Sequence, residues 1–496
     1  MVDIGVTRRI FRTILVTSTI LCAAQANAQT VEDLQRQINE LKAQIKALTE
    51  MRAASAPAAP APAALEPVVS AQVAAASPSS ASASTDVADT VAIATNVSAP
   101  QPAAVKGTPP RTAEPWYDRL LLRGYTQLRY NALLSGDRTA PDGQARLRSP
   151  HDSSINDDGG FSLRRVRLVL QGRITDDVSL YLQQDLGTAV NNQSSTERRE
   201  HFGQLRDAYV DWFLDKGHSF RLRFGQSKVP FGWENLQSSS NRITLDRSDA
   251  INSAAPGERD LGVVAYYTPP RVQVIWDRLA ENGQKLFGNY GAFGIAAYNG
   301  QGVNRTERNG SLMKVAMGTW PLELDGLGDA FRGQVLELGG AAMLNRIRPE
   351  VRSGGVSDRD FDDNRVALHA ILYPQPFGIQ TEWTWGRGPQ FDAASGAIED
   401  KSLSGGYVQL NYDVGKTPVG RILPYGRWQR YRGGWKASVN APRLETDEIE
   451  LGVEWRFKDA LELTVAYANM KRREADERRI GRAEGNLIRT QLQWTY

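Results

Sequence analysis

Residues 161–186, FSLRRVRLVLQGRITDDVSLYLQQDL, alternate apolar and polar side chains through two arms joined by a short polar turn. Val166 and Leu168 fall on one face of the first arm, and Arg165 and Arg167 fall on the other, because successive strand side chains point to opposite sides. The second arm repeats this alternation. The stretch predicts a β-hairpin with one apolar and one charged face, which suits either a soluble sandwich or the wall of a membrane barrel.

Composition decides between membrane helices and membrane strands. The 496 residues are 41% hydrophobic and 23% charged, with a mean hydropathy of −0.42. No segment beyond the N-terminus resembles the run of about 20 apolar residues that a membrane helix needs. Helical spans are therefore excluded, whereas barrel strands of about 9–11 residues are only half apolar and remain compatible with this composition.

The N-terminus has the features of a secretory signal peptide over residues 1–28. Three arginines precede an apolar run at 14–24, and Ala26-Asn27-Ala28 forms a small-x-small cleavage site. The one cysteine, Cys22, lies inside this signal, so we expect the exported chain to have no disulfide. A lipoprotein role for Cys22 is a weak alternative because the bulky Leu21 precedes it.

Two segments separate the signal from the strands. Residues 29–50 are predicted to form a short periplasmic coiled coil that favours a parallel dimer, and a lone amphipathic helix is the alternative. Residues 51–115 are rich in Ala, Pro and Ser, cannot bury a core, and are predicted to be a disordered linker. The heptad positions of the coiled coil are occupied by Val31, Leu34, Ile38, Leu41, Ile45 and Leu48.

Residues 116–496 predict an all-β domain, a 16-stranded antiparallel transmembrane β-barrel. An even strand number places both chain ends on one side of the membrane. The strand-like segment 272–276 lies in 269–288, which we interpret as an insertion, in the form of an extended periplasmic turn. A terminal aromatic strand and recurring Trp favour the membrane over a soluble β protein. The predicted strands are 121–130, 161–174, 177–187, 205–214, 218–226, 260–268, 289–299, 311–320, 334–344, 364–373, 377–386, 404–413, 421–432, 445–457, 460–471 and 486–496.

The same alternation predicts which side chains face the lumen. The net charge is only +3, so any anion preference must come from where the arginines lie. Either the cations and acids form opposed walls with mild selectivity, or the loop at 226–258 folds inward and brings its cations against the basic wall. For each arginine, the alternative role is to pair with an inward carboxylate such as Asp185, Asp207 or Asp211. The predicted basic wall contains Arg123, Arg129, Arg165, Arg167, Arg173, Arg221, Arg223 and Arg489, the loop adds Lys228, Arg242 and Arg247, and the acidic wall contains Glu382, Glu448, Glu450, Glu454 and Glu462.

Catalytic and metal-binding signals are weak. The four histidines have no ligand spacing, and no nucleophile triad or phosphate-cradling loop occurs, so no enzyme, cofactor or nucleic-acid partner is expected. The acidic segment 151–160 is predicted to be a solvated loop, with a divalent cation or lipopolysaccharide contact as the alternative.

Several motifs resemble the phosphate-selective porin O and P family. They are Phe161-x-x-Arg164-Arg165-x-Arg167, the run Leu-Arg-Asp-Ala-Tyr-Val at 205–210, the run from Arg223 to Gly232, and Tyr298-Asn-Gly. The resemblance implies a trimeric porin whose third loop folds into the pore. It also implies an arginine-lined path for phosphate or polyphosphate, onto which Arg164, Arg165 and Lys228 map.

Together these features predict an outer-membrane porin for passive diffusion of small anions, in contact with membrane lipid and lipopolysaccharide. The predicted anion-binding residues are Arg123, Arg164, Arg165, Arg167, Arg221, Arg223, Lys228 and Arg242. A general or sugar-type porin is one alternative, and a structural barrel that tethers the envelope is another.

Overall fold

A closed wall of antiparallel strands surrounds a lumen that is partly filled by two inserted segments. The computed structural model describes residues 116–136, 147, 152, 155, 159–188, 201–288, 290–475 and 481–496. The predicted signal peptide (1–28), coiled coil (29–50) and linker (51–115) lie outside the described residues.

The strands follow each other around the wall in chain order. The described residues also form three α-helices: α1 (Trp233–Leu236), α2 (Asp249–Asn252) and α3 (Pro270–Glu281). The strands are β1 (Leu120–Gly136), β2 (Gly160–Arg173), β3 (Val178–Thr188), β4 (Phe202–Phe213), β5 (Phe220–Lys228), β6 (Arg259–Tyr267), β7 (Phe293–Tyr298), β8 (Met313–Glu323), β9 (Val335–Leu344), β10 (Arg346–Ile347), β11 (Phe361–Asp362), β12 (Asn364–Leu372), β13 (Phe377–Asp392), β14 (Ala397–Tyr412), β15 (Lys416–Thr417), β16 (Gly420–Gly434), β17 (Arg443–Lys458), β18 (Leu461–Ala475) and β19 (Ala483–Thr495).

The wall closes between its first and last strands. β19 pairs with β1 from Tyr125↔Thr495 to Gly136↔Gly485, and every barrel strand is antiparallel to its neighbours. The main sheet has 17 strands, of which β15 is a two-residue piece in the turn before β16, so 16 strands form the wall; β10 and β11 form a separate ladder. The predicted 16-stranded barrel is confirmed, because all of its strands overlap the predicted ones.

Side-chain alternation separates an apolar outer face from a polar inner face. On β2, the side chains of Arg165 and Arg167 are 4% and 3% exposed. Leu168, which lies between the inward residues Arg167 and Val169, is 37% exposed. Trp212 and Trp320 lie on the outer face near the ends of β4 and β8, as expected for aromatic residues at a membrane interface. The wall therefore presents apolar side chains to lipid, and Arg165 and Arg167 point into the lumen.

The two ends of the barrel differ in their connections. We call the end that contains Trp116 and Tyr496 the terminal end, and the opposite end the loop end. At the loop end, residues 229–258 join β5 to β6 and fold into the lumen, where most of their side chains are buried. We call this segment the inner loop. Its inward fold agrees with the position that the sequence predicts for 226–258.

A second segment enters the lumen from the terminal end. Residues 268–292, which we call the strap, join β6 to β7 and contain α3. The strand-like appearance of 272–276 is thus misleading, because Val272, Ile275, Trp276 and Leu279 recur at helical spacing on one buried face. They pack with inner-loop side chains and the β9 and β12 wall in a core completed by Trp233, Leu236, Leu286, Phe287, Ala292, Val335, Ile371 and Tyr373.

None of the helices in the described ranges is long and apolar enough to cross a membrane.

Candidate functional site

The inner loop is attached to the acidic side of the wall. The backbone N–H groups of Trp233 and Glu234 donate to the two carboxylate oxygens of Glu382 at 2.6 and 3.0 Å. The Glu234 carboxylate in turn accepts from Arg427 Nη1 and Nη2 at 2.7 and 3.1 Å and from the Ser248 N–H at 2.9 Å. These are buried, charge-assisted bonds, so they fix the loop in one position.

Glu337 joins the strap to the inner loop through neutral donors. Its carboxylate accepts from the indole N–H of Trp233 (3.2 Å) and of Trp276 (3.1 Å), which belong to the inner loop and the strap. The hydroxyls of Thr319 and Tyr373 donate to it at 2.7 and 2.8 Å. This fully buried wall carboxylate therefore lies under both inserted segments and away from the remaining lumen space.

The strap also covers the acidic side nearer the terminal end. Lys285 Nζ contacts the carboxylates of Glu454 and Glu462, and its backbone carbonyl accepts from the Gln237 side chain at 3.0 Å. The five predicted acidic-wall glutamates do face inward, and all are at most 6% exposed. They do not form an open wall, because each has a buried partner. Glu382 accepts from inner-loop N–H groups, Glu454 and Glu462 pair with Lys285, and Glu448 and Glu450 pair with the wall arginines Arg472 and Arg489.

The space that remains lies against the basic wall. A cavity of about 620 Å³ extends from the terminal end to the underside of the inner loop, and we call it the basic vestibule. Eight cationic side chains and three carboxylates line it. The cations are Arg119, Arg123, Arg167, Arg173, Arg221, Arg223, Lys228 and Arg259, and the carboxylates are Asp176, Asp207 and Asp211.

Several predicted site arginines in the vestibule pair with wall carboxylates, as the alternative role anticipated. Arg167 Nε donates to Asp185 at 2.8 Å, and Arg223 binds Asp211 in a bidentate manner at 2.7 and 2.8 Å. Arg221 lies 3.8 Å from the same Asp211. Such pairing orients each guanidinium and weakens its field without removing its remaining donors.

Two other predicted residues lie at the edges of the vestibule. Arg123 Nη2 donates only to Gln171 (3.0 Å) among the described residues. Lys228 Nζ donates to the carbonyls of Asn235 and Gln237 at 3.0 and 2.8 Å and lies 3.5 Å from Glu258. Lys228 therefore supports the inner loop as well as lining the cavity.

The last three predicted residues form a group at the loop-end side of the vestibule, which we call the arginine triplet: Arg164, Arg165 and Arg242. The β1–β2 register shifts at Arg164, and this bulge turns Arg164 inward beside Arg165, so that Arg164 comes within 3.6 Å of Asp246. Arg165 donates a hydrogen bond to the Gln127 side chain at 2.8 Å, and it is close enough to Arg242 for electrostatic repulsion between the two guanidiniums. The Arg242 guanidinium is buried with no hydrogen-bond partner within the described ranges.

The inner loop also contacts the basic side, which makes it a constriction. Ser239 Oγ lies 2.6 Å from Tyr125 Oη and 3.0 Å from Arg167 Nη1, and the Ser239 carbonyl accepts from Gln127. Because the same loop is attached to Glu382 on the far wall, it crosses the lumen. The inner loop therefore narrows the lumen at this level.

Two carboxylates of the inner loop are held in their charged form. Burial alone would raise the pKa of Asp246, but Arg129 and Arg489 outweigh burial and hold this pKa well below its usual 3.8. Arg247, with Arg259, similarly holds the pKa of Glu258 well below 4.5 despite burial. Because the folded-state pKa values are lowered, this stabilisation is complete above the unfolded-state values and is lost only as the pH falls through the folded-state values.

Asp152 corrects the expectation for the acidic segment 151–160. Its carboxylate is 1% exposed and accepts from Arg129 Nη1 at 2.6 Å and from Arg489 Nη2 at 2.9 Å. The prediction of a solvated loop was therefore wrong at this position, because the two arginines draw the carboxylate inward. In the described part of the chain, no group of three or more His, Cys, Asp or Glu residues is placed to hold a metal ion.

Arg259 is a vestibule residue that the sequence analysis missed. It donates to both Asp207 oxygens at 3.0 Å and to Glu258 at 2.9 Å. Alternation gives no signal for it, because Arg259 has the same parity as the outward residues Leu261 and Val263, and yet it is 2% exposed at the first position of β6. The inward tyrosines were not predicted either, because only charged side chains were assigned to the lumen.

A family model described as phosphate-selective porin O and P matches residues 144–496. No curated protein matches the chain. Among solved structures, the outer membrane channel DcaP of Acinetobacter baumannii is 14% identical, with a TM-score of 0.46 and coverage of 76% of this chain and 97% of that chain. The anion-selective porin from Comamonas acidovorans is 13% identical, with a TM-score of 0.43 and coverage of 76% and 99%. The trimer form of OmpT from Vibrio cholerae is 9% identical, with a TM-score of 0.43 and coverage of 76% of this chain and 99% of that chain.

Proposed function

Since this chain belongs to the phosphate-selective porin O and P family and forms an outer-membrane channel, we propose that small anions, phosphate foremost, diffuse passively along the basic side of its lumen. The terminal end then faces the periplasm and the loop end faces the exterior. The supporting observation is the one-sided lining of the remaining space, in which eight cations are accompanied by three carboxylates.

The proposed path has several sites of moderate strength. An anion entering from the loop end meets the arginine triplet first, then Arg167 and Arg259, and finally Arg221 and Arg223 towards the periplasm. Most of these guanidiniums share their charge with an aspartate, so each of the paired ones holds an anion less tightly than an unpaired guanidinium would. Conduction needs sites that attract an ion and still release it. Guanidinium groups also match the geometry of phosphate oxygens.

Removing two cations of the triplet should lower anion selectivity. In the double variant Arg165→Gln with Arg242→Gln, we expect a marked fall in the permeability ratio of chloride to potassium, because the passage loses charge at the level that the inner loop narrows. The measurement is the reversal potential of the reconstituted channel across a KCl gradient. Arg430→Gln is the matched control, since Arg430 lies on the outer face of β16. An unchanged reversal potential in the double variant would contradict the proposed path.

Phosphate preference is tested separately on the wild-type channel. Graded phosphate added to a chloride solution should block the chloride current at micromolar to low-millimolar levels if phosphate binds along the path. Indifference to phosphate together with anion selectivity would favour the alternative of a general porin, and block by neutral sugars would favour a sugar-type porin.

We further propose that the channel is a homotrimer in contact with lipopolysaccharide and that residues 29–50 and 51–115 form a periplasmic coiled coil and linker. If these segments serve to tether the envelope, deletion of 29–110 should leave the single-channel conductance unchanged and weaken the attachment of the outer membrane. A loss of conductance on deletion would contradict a purely tethering role. Cross-linking of the full chain in membranes tests the trimer.

A further inference from the structure

The basic vestibule is lined by aromatic rings as well as by cations. Six aromatic side chains face it, although binding of an inorganic anion does not require aromatic rings. They come from β1, β3, β4 and the strap, and they are Tyr125, Tyr181, Tyr209, Phe213, Phe287 and Tyr290. Aromatic residues of a barrel are expected mainly at the lipid interfaces, so an inward group of this size needs another explanation.

The central rings form an ordered stack with a guanidinium. Tyr181 and Tyr209 are opposite each other on β3 and β4, and their rings are parallel within 9° at a centroid distance of 5.1 Å. The Arg223 guanidinium lies 3.8 Å from the centroid of the Tyr209 ring and 5.2 Å from that of Tyr290. Tyr209 is therefore covered on both faces, and Tyr181 is the end of the stack.

Cations with spare donors lie on the other side of Tyr181. Gln171 is opposite Tyr181 in the β2–β3 ladder, and Arg123 reaches Gln171 from β1. In the described part of the chain, the Arg123 guanidinium donates to the Gln171 side chain, the Arg173 guanidinium contacts His218 Nδ1, and the Nε of each has no partner. A guanidinium has five N–H donors, so both retain capacity for an anion.

The size of the vestibule also exceeds what phosphate needs. A cavity of about 620 Å³ lies within the range of about 300–1,000 Å³ that is usual for organic ligands. Apolar and aromatic walls with a few charged groups are typical of such sites. The excess of cations over carboxylates favours an anionic ligand over a neutral sugar.

We propose that the vestibule holds a transient binding site for small aromatic carboxylates, whose ring stacks on the free face of Tyr181 while the carboxylate accepts hydrogen bonds from Arg123 and Arg173. This inference rests on the proposed anion channel and adds a substrate class to it. Stacking on Tyr181 extends the existing row of rings, and offset or parallel aromatic pairs are favourable beyond their buried area.

The test compares two blockers of equal charge and similar size. Benzoate should block the chloride current of the full chain at a concentration about threefold to tenfold lower than cyclohexanecarboxylate, because only benzoate has an aromatic face. Acetate serves as the reference for charge alone. Equal block by benzoate and cyclohexanecarboxylate would overturn the proposal.

Variants separate the ring from the charge. Tyr181→Leu should abolish the difference between the two blockers, Tyr181→Phe should keep it, and Tyr467→Leu on the outer face is the matched control. If Tyr181→Leu does not insert, Arg123→Gln provides the second test, since it should weaken the block by both carboxylates. A retained difference in Tyr181→Leu, or an undiminished block in Arg123→Gln, would overturn the site. A reversal potential without anion preference would instead refute the proposed function, whereas normal anion selectivity without benzoate preference refutes only this inference.

Discussion

Replacing the strap with a short turn is expected to raise the single-channel conductance several-fold and to reduce the preference for anions. Tyr267 and Phe293 are direct partners across β6 and β7, so a tight Asn-Gly turn in place of residues 269–291 can join these strands without altering the wall. The variant removes α3 from the lumen together with Lys285, which leaves Glu454 and Glu462 open to water. A wider lumen with an exposed acidic side should conduct cations better.

The measurement is single-channel conductance together with the reversal potential in a KCl gradient. The matched control shortens residues 325–333, a connection at the same end of the barrel whose residues are mostly exposed. This control should conduct as the wild type does. A strap variant with wild-type conductance would show that the strap does not limit the flow of ions.

The barrel wall was predictable because a membrane strand has a period of two and one face in lipid. The β2 alternation of Arg165 and Arg167 with Val166 and Leu168 is an example, and the same pattern placed all sixteen wall strands. The even strand number predicted that both chain ends lie on one side of the membrane, and β1 and β19 pair antiparallel as a closed barrel requires. Alternation fails at strand ends: Arg259, the first residue of β6, has the parity of the outward Leu261 and is nevertheless buried.

The contents of the lumen were only partly predictable. Val272, Ile275, Trp276 and Leu279 have helical spacing, yet a short run with β-branched and aromatic residues also fits a strand. The interpretation of 269–288 as an extended periplasmic turn did not use the helical period. Even if α3 had been predicted as a helix, the sequence alone would not have placed it inside the barrel. Its location depends on the indole donors of Trp233 and Trp276 meeting Glu337 across three separate segments.

Alternation determines on which side of the wall a charge lies, but not which partner it finds. The five inward glutamates were predicted correctly as inward, but their partners in the inner loop, the strap and the neighbouring wall strands were not predicted. Arg164 shows a second limit, because alternation alone turns it outward and only the bulge at that position turns it inward. Partners at long sequence separation require the three-dimensional structure.

Removing Arg427 is expected to release the inner loop from the wall. The variant Arg427→Met keeps much of the side-chain volume but leaves the buried Glu234 carboxylate with the Ser248 N–H as its one hydrogen-bond donor among the described residues, and Thr244 loses its bond from the guanidinium. Breaking a buried ion pair by removing one partner typically costs about 3–5 kcal/mol. We expect a lower unfolding midpoint in denaturant and a channel whose current fluctuates between narrow and wide levels, because the loop no longer holds one position.

Two controls distinguish loss of the ion pair from loss of packing. Arg430→Met, on the outer face of the same strand, should change neither the unfolding midpoint nor the current noise. Adding Glu234→Gln to Arg427→Met removes the unpaired charge, so the double variant should recover part of the lost stability, as expected for directly coupled groups. Recovery in the double variant would assign the cost to the stranded carboxylate. Equal instability of the single and double variants would mean that Arg427 acts through its packing over Tyr407, which lies 4.2 Å away, and not through Glu234.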